Sequence, residues 1–182
     1  MAEKFQNTYR IPSNRLKGFD YGSHNLYFVT ICTKNKIHYF GEIVETYSVE
    51  TDNCPSLQPT EIGKIAFDFW KEIPKHYPFV ELEEFVIMPN HIHGILFFNL
   101  PEKTDWNPNK FGSQSQNLGA VVRGFKSSVK RYANQNGIEF EWQTRFHDRI
   151  IRDEKERYAI KNYIINNPKN WNKDKLNDKN LS

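Results

Sequence analysis

The stretch Val86-Ile87-Met88-Pro89-Asn90-His91-Ile92-His93-Gly94-Ile95-Leu96 decides how this chain folds. Apolar residues fill both arms, and Pro89-Asn90 interrupts them, so it reads as two strands joined by a tight connection and paired antiparallel. The first arm reaches back to Val80 and the second runs on to Asn99, which predicts strands over 80–88 and 91–99. Successive strand side chains alternate between faces, so His91 and His93 share one face. Both imidazoles then project into one place, spaced to hold a single metal ion.

Working outward, 25–33 is rich in β-formers (Tyr27, Phe28, Val29, Thr30, Ile31) and reads as a strand. Residues 42–45 suggest a short hairpin strand, and 51–53 a turn or loop. Thr60 can cap a helix starting at Glu61, where Ile62, Ile65, Ala66, Phe69, Trp70 and Ile73 recur at helical spacing until Pro74 and Pro78 end it. Residues 101–117 form a long polar loop, which in a small domain is functional or mobile. A second helix covers 118–134, stopped by Gly137. Residues 140–151 read as a fourth strand. Asp153 can cap a last helix, with Glu154 and Glu156 in its first turn, that ends before Pro168. The order strand, helix, strand, strand, helix, strand, helix predicts an α+β, ferredoxin-like antiparallel sheet with helices on one face. The expected organisation is a basic N-terminal arm (1–24), one domain (25–171) and a polar tail (172–182), frayed apart from a possible docking of Trp171.

A chain of 182 residues suits one domain with a sizeable core. An aromatic share of 15%, placed largely within the expected strands and helices, points to a folded protein. The net charge of +3 is compatible with a nucleic-acid partner without requiring one. Two cysteines, Cys32 and Cys54, outside any C-x-x-C pair, build neither a disulfide framework nor a zinc knuckle. The first residues lack a signal-peptide core, and no apolar run approaches the roughly 20 residues that a membrane span needs. The expectation is a cytoplasmic protein with no membrane partner.

Neutral imidazole is a common metal ligand, and two histidines leave positions for carboxylate, amide, water or substrate oxygen. Oxygen-rich positions suit Mg²⁺ or Mn²⁺ acting on phosphate. Downstream, Tyr163 and Asn167 stand four apart on the last helix and share a face. Such a tyrosine can act as a nucleophile beside a metal-bound phosphate, and the amide of Asn167 can supply a third ligand. The same residues also suit a core ring and a helix-closing Asn-Pro. The helix over 118–134 carries Arg123, Lys126, Lys130 and Arg131 away from its apolar face, available for phosphate contacts or simply solvated. The segment Trp142-Gln143-Thr144-Arg145-Phe146-His147-Asp148-Arg149, with Arg152 beyond it, mixes rings and cations that suit single-stranded bases or an ordinary edge strand.

Taken in order, Met88-Pro89-Asn90-His91-Ile92-His93-Gly94, Phe125-Lys126-Ser127, Trp142-Gln143, Phe146-His147-Asp148, Ile151-Arg152 and Tyr163-Ile164-x-x-Asn167-Pro168 resemble the REP-associated tyrosine transposases. These form a single-tyrosine branch of the HUH endonuclease superfamily. Arg15-Leu16-x-x-Phe19-Asp20-Tyr21 and Tyr27-Phe28-Val29-Thr30-Ile31-Cys32 extend the resemblance, which runs from Arg15 to Trp171. The chain departs from the pattern at Arg149, where relatives carry His in a Phe-His-Asp-His run. The resemblance implies an HUH nuclease-like fold, with His91, His93 and Asn167 as ligands of a divalent ion and Tyr163 as nucleophile. It implies a 5′-phosphotyrosine intermediate on single-stranded or hairpin DNA, made by a monomer or a homodimer. The expected function is a metal-dependent single-strand DNA endonuclease and strand transferase, with Arg123, Lys126, Lys130, Arg131, Arg145, Arg149 and Arg152 as DNA contacts. The alternatives are a non-catalytic ferredoxin-like module that binds single-stranded nucleic acid, and a metal phosphodiesterase that uses water.

Overall fold

The structure, a computed structural model, describes residues 4–5, 8–9, 18–48, 51–100 and 116–177, with backbone alone at 4–5, 8–9, 46–48 and 51–54. Most of the expected basic arm, the greater part of the 101–117 loop and the last five residues therefore lie outside the described residues. The two-residue strands β1 (Lys4–Phe5) and β2 (Thr8–Tyr9) pair with each other. The body runs β3 (Asn25–Cys32), β4 (Gly41–Ser48), β5 (Thr51–Pro59), α1 (Glu61–Lys71), α2 (Ile73–His76), β6 (Val80–Met88), β7 (His91–Phe98), α3 (Leu118–Gln135), β8 (His147–Ile151) and α4 (Glu154–Ile165). A 3-10 turn over Pro168–Lys173 follows.

The main sheet has the order β6-β7-β3-β8 with every pair antiparallel. Numbered within this sheet in chain order, its strands lie 2-3-1-4, with α1 between the first two and α3 between the last two. That is the ferredoxin-like β-α-β-β-α-β arrangement. The strand–Pro89-Asn90–strand reading holds, with Met88 opposite His91 and Val86 opposite His93.

Alternation along the strands builds two cores. Tyr27, Val29 and Ile31 of β3 and Ile92, Leu96 and Phe98 of β7 face α1 and α3, packing against Ala66, Trp70, Val121, Val122 and Phe125. Leu26, Phe28, Val86, Ile95 and Ile151 face the other way and meet Ile160 and Ile164 of α4. Helices therefore cover both faces of the sheet, not one as expected, and His91 and His93 fall on the α4 face with Ile95. Both apolar rows of the sheet need cover, and full burial of each large side chain contributes about 1.5–3 kcal/mol.

Local signals read correctly include the Thr60 cap, whose hydroxyl accepts from Gly63 N at 3.1 Å, and the Asp153 cap, which accepts from Glu156 N at 2.7 Å. Gly137 takes φ 66° just past α3. Three segments differ from expectation. Pro74 does not end α1 but sits in the first turn of the short α2, where its missing N–H costs nothing. Residues 51–53 belong to β5, which pairs with β4 in a two-stranded ribbon, and an edge strand tolerates Pro55 and Pro59. The fourth strand begins only at His147. Residues 141–143 keep only an isolated antiparallel bridge, Trp142 opposite Thr33, with Lys34 N donating to Glu141 O and Gln143 N to Cys32 O, each at 2.9 Å, while Lys130 Nζ donates to Phe140 O at 2.6 Å and Lys126 Nζ to Gln143 O at 2.6 Å. Among the described residues no helix is long and apolar enough to cross a membrane.

Candidate active site

Three elements converge under α4. Strand β7 supplies His91 and His93, both buried, with ring centroids 4.5 Å apart. The helix α4 supplies Tyr163, whose hydroxyl lies 3.1 Å from His93 Nε2. The turn after α4 supplies Asn167, 2% exposed although Pro168 follows it. The fifth residue is Asp174, at the end of that same turn, which the sequence placed in a fraying tail. One oxygen of its carboxylate and one nitrogen from each of His91 and His93 all lie within 4.8 Å of one another. The described residues beyond 171 are not frayed. Asp174 Oδ1 accepts from Leu176 N at 2.7 Å, Asn177 donates to Trp171 O at 3.0 Å, and Trp171 docks against the His91 ring, centroids 6.0 Å apart.

The outer nitrogens of the imidazoles are held from behind. His91 Nδ1 is 2.8 Å from Asn90 Oδ1, and His93 Nδ1 is 2.9 Å from Thr30 Oγ1, its cross-strand neighbour on β3. Each ring thus presents Nε2 to the space between β7, α4 and the C-terminal turn. Metal-binding histidines are usually braced in this way through their second nitrogen.

The site also has unmet demand. Among the described residues, three buried side-chain polar atoms lack a hydrogen-bond partner: Trp70 Nε1, His91 Nε2 and Asn167 Oδ1. Two of the three belong to this one site, and orphaned buried polar atoms ask for an explanation. Asn167 Nδ2 donates to Asp174 Oδ2 at 3.3 Å, which turns Oδ1 the other way. Asn167 lies close enough to favour the charged form of His91, yet the two complete no hydrogen bond. An imidazole nitrogen, an amide oxygen and a carboxylate with spare lone pairs are donors that fit a divalent cation.

Electrostatics favour the ligand forms. Burial is the main cause that pushes His91 and His93 down to about 3, and His91 depresses His93 further. Both rings are therefore neutral at neutral pH, the state that binds metal. Burial also raises the Tyr163 phenol, with the Asp174 charge adding to the rise. Tyr163 as a residue nonetheless stays 46% exposed. Phe28 stacks on His93 at 5.4 Å and meets Tyr163 edge-on at 6.2 Å, fixing both rings.

The structure thus brings His91, His93, Asn167 and Tyr163 together within one chain. It separates the basic candidates into two groups. Arg149 lies opposite Phe28 in the ladder, hence on the site face, and pairs with Glu156 at 2.5 Å. Arg145 and Arg152 flank the same strand and are exposed. Arg123, Lys126, Lys130 and Arg131 ride on α3, across the sheet from the site. Lys126 and Lys130 bind carbonyls of 140–144, and burial lowers the Lys126 amine. Sequence reasoning missed Asp174, Asn90 and Thr30. Asn90 and Thr30 stood beside readable signals, namely the histidine pair and the strand alternation. Asp174 stood in a stretch without periodicity.

No protein-family model matches the chain. An uncharacterized protein of Haemophilus influenzae is 38% identical over 173 residues, covering 90% of this chain and 91% of that one. A second Haemophilus influenzae protein, described as a "Putative REP-associated tyrosine transposase", is 30% identical over 156 residues, covering 82% of this chain and 73% of that one. A solved structure of a REP-associated tyrosine transposase bound to a REP hairpin superposes with a TM-score of 0.56 at 16% identity, covering 88% of this chain and 74% of that one, which establishes a shared fold. With the sequence identity spread over most of both chains, the protein belongs to the REP-associated tyrosine transposase family.

Proposed function

We propose that the protein is a metal-dependent single-strand DNA endonuclease and strand transferase that acts on hairpin-forming DNA through a 5′-phosphotyrosine intermediate. The observation that carries this reading is the meeting of the hydroxyl of Tyr163, a half-exposed residue, with two braced imidazoles, 3.1 Å from the nearer one. A binding module without chemistry has no need of unpaired donors buried beside a phenol. When bound, a divalent cation, Mg²⁺ or Mn²⁺, supplies Lewis-acid polarisation of the scissile phosphate. His91, His93 and Asn167 would hold it, with Asp174 as a further ligand or as the group that aims the Asn167 amide.

The chain's own part is nucleophile and geometry. Tyr163 Oη attacks phosphorus in line and gives up its proton to solvent. The P–O3′ bond breaks, O3′ leaves as a hydroxyl with a proton from solvent, and the 5′-phosphate stays esterified to Tyr163. Another 3′-hydroxyl then attacks the ester, rejoins DNA and returns the tyrosine. One ester replaces another, so no nucleotide cofactor is required. Arg145, Arg149 and Arg152, on or beside β8, are the candidates for contacts to a single strand. Arg123 and Arg131, with Lys126 and Lys130, offer a separate basic surface for the phosphates of a duplex stem.

The test is a denaturing gel after incubation of labelled hairpin oligonucleotides with the protein and Mg²⁺ or Mn²⁺. A protein-linked band is expected; it is lost in Tyr163→Phe and with chelator, while DNA binding persists. An adduct that survives Tyr163→Phe removes this tyrosine from the chemistry. Cleavage without any linked strand points instead to a hydrolytic phosphodiesterase.

A further inference from the structure

Asn90 sits between the two strands of the histidine hairpin and is fully buried. Every hydrogen-bonding group of its side chain is engaged. Nδ2 donates to Lys36 O at 3.0 Å and to Leu176 O at 2.8 Å, while Oδ1 faces His91 Nδ1 at 2.8 Å. Two carbonyl partners on one side of an amide settle which end is nitrogen. The other end is the oxygen, and an oxygen can only accept. His91 must then carry its proton on Nδ1, which leaves the lone pair on Nε2, the orphaned atom that faces the site.

The same side chain anchors the two segments that close the site. Lys36 O belongs to a turn in which Asn35 and Lys36 both take positive φ, 52° and 54°. Neither is glycine, and consecutive left-handed residues persist only where the surroundings hold them. Lys36 Nζ in turn donates to Lys175 O at 3.2 Å. Leu176 O belongs to the C-terminal turn, where Leu176 N is bonded to Asp174 Oδ1 at 2.7 Å. One amide therefore connects an imidazole, a strained turn and the turn that carries the Asp174 carboxylate.

We propose that Asn90 is a positioning residue that couples the metal centre to the C-terminal turn: it fixes the tautomer of His91 and holds the Leu176 carbonyl that sets Asp174 against the two imidazoles. Ion binding and the order of residues 174–177 are then linked in both directions, as equilibrium linkage requires. The proposal rests on the metal reading above and deepens it.

Mn²⁺ alone, titrated calorimetrically into the full chain, tests it. Asn90→Ala, which removes both roles, is expected to weaken Mn²⁺ binding roughly 10–100-fold, the usual effect of losing a group that orients a ligand. It should also speed amide exchange at Leu176. Asn90→Asp keeps an acceptor for His91 but loses both donors, so exchange at Leu176 should rise with a smaller loss of affinity. Unchanged Mn²⁺ affinity in Asn90→Ala overturns the proposal, as does unchanged exchange. Should Asn90→Ala fail to fold, the wild-type chain still decides: diamagnetic Mg²⁺ at saturation must slow exchange at Leu176, and no slowing refutes the coupling. A wild-type chain that binds Mn²⁺ no better than His91→Ala removes the metal reading itself, a result distinct from either of these.

Discussion

His91 and His93 are neutral in the folded protein because burial pushes both to about 3, far below the ordinary 6.5. In the unfolded chain the same rings take up protons as pH falls through about 6.5. Between those values the unfolded state binds more protons, so stability declines as pH drops. The loss from this pair begins near pH 6.5 and is complete near pH 3. With metal removed by chelator, the melting temperature is expected to fall between pH 7 and pH 4. The fall should be visibly smaller in a His91→Asn, His93→Asn double variant. Equal falls in the two proteins would show that these rings are not buried neutral. Thr30 and Asn90 brace the outer nitrogens with neutral groups; Asn167 favours the charged form of His91 and Asp174 that of His93, but burial outweighs both.

At the level of elements, the docking of α4 decides whether Tyr163 meets the histidines. Glu83 on β6 has a side chain only 14% exposed and binds both Arg157 and Lys161 of α4, the latter at 3.0 Å. Burial works against its charge, but the two cations outweigh that and hold its carboxyl below the usual range. Glu83→Ala leaves two helix cations without their shared partner. It is expected to cost about 1–3 kcal/mol in urea unfolding, between the figures for an exposed and a fully buried pair, and to lower adduct yield. A stability within error of wild type would mean that the apolar row of Ile160 and Ile164 docks the helix unaided. On the opposite face, a Cβ at Gly94 would lie 2.3 Å from Trp70 Cζ2, and Trp70 is fully buried. Gly94→Ala forces α1 or β7 to shift, one residue from His93. The expected cost is about 1–3 kcal/mol by the same measurement, the usual range for overpacking. A neutral outcome would show that Trp70 can move aside.

These elements also show what the sequence could convey. The strands β3, β6 and β7, the helices α1, α3 and α4, and the caps at Thr60 and Asp153 follow from local periodicity and capping chemistry, which neighbouring residues express by themselves. Residues 140–146 read as regular strand from their β-forming composition, but they keep only an isolated bridge at Trp142, and lysines of α3 bind the carbonyls of Phe140 and Gln143, which no local pattern announces. The strand β5 was missed because a free two-stranded ribbon needs no apolar alternation. The second helical layer was missed because the stripe of α4 is short, and only the register of β3 and β7 reveals that the sheet's other face is apolar too. Asp174 was hidden for a deeper reason: its place depends on Asn90, 84 positions earlier, reaching the carbonyl of Leu176.

For the molecule as a whole, the proposed site residues meet within a single chain. His93 and the hydroxyl of Tyr163 are 3.1 Å apart without help from a second copy, and Glu83 ties α4 to β6 of the same chain. The sequence resemblance left a monomer and a homodimer open, and a homodimer could exchange α4 between its subunits. The two arrangements differ in what a mixture of inactive proteins can do. If the helix is exchanged, a dimer formed from Tyr163→Phe and His93→Ala chains rebuilds one intact site out of two defective ones. If the helix stays at home, every site in the mixture lacks either its nucleophile or a ligand. Equal mixing of the two variants, co-refolded and incubated with labelled hairpin DNA and Mn²⁺, is therefore expected to yield no protein-linked band above either variant alone. A band near a quarter of the wild-type yield, the statistical share of rebuilt sites if chains pair at random, would show that α4 crosses to a partner in solution. It would also move the meeting of Tyr163 with His93 from within one chain to between two.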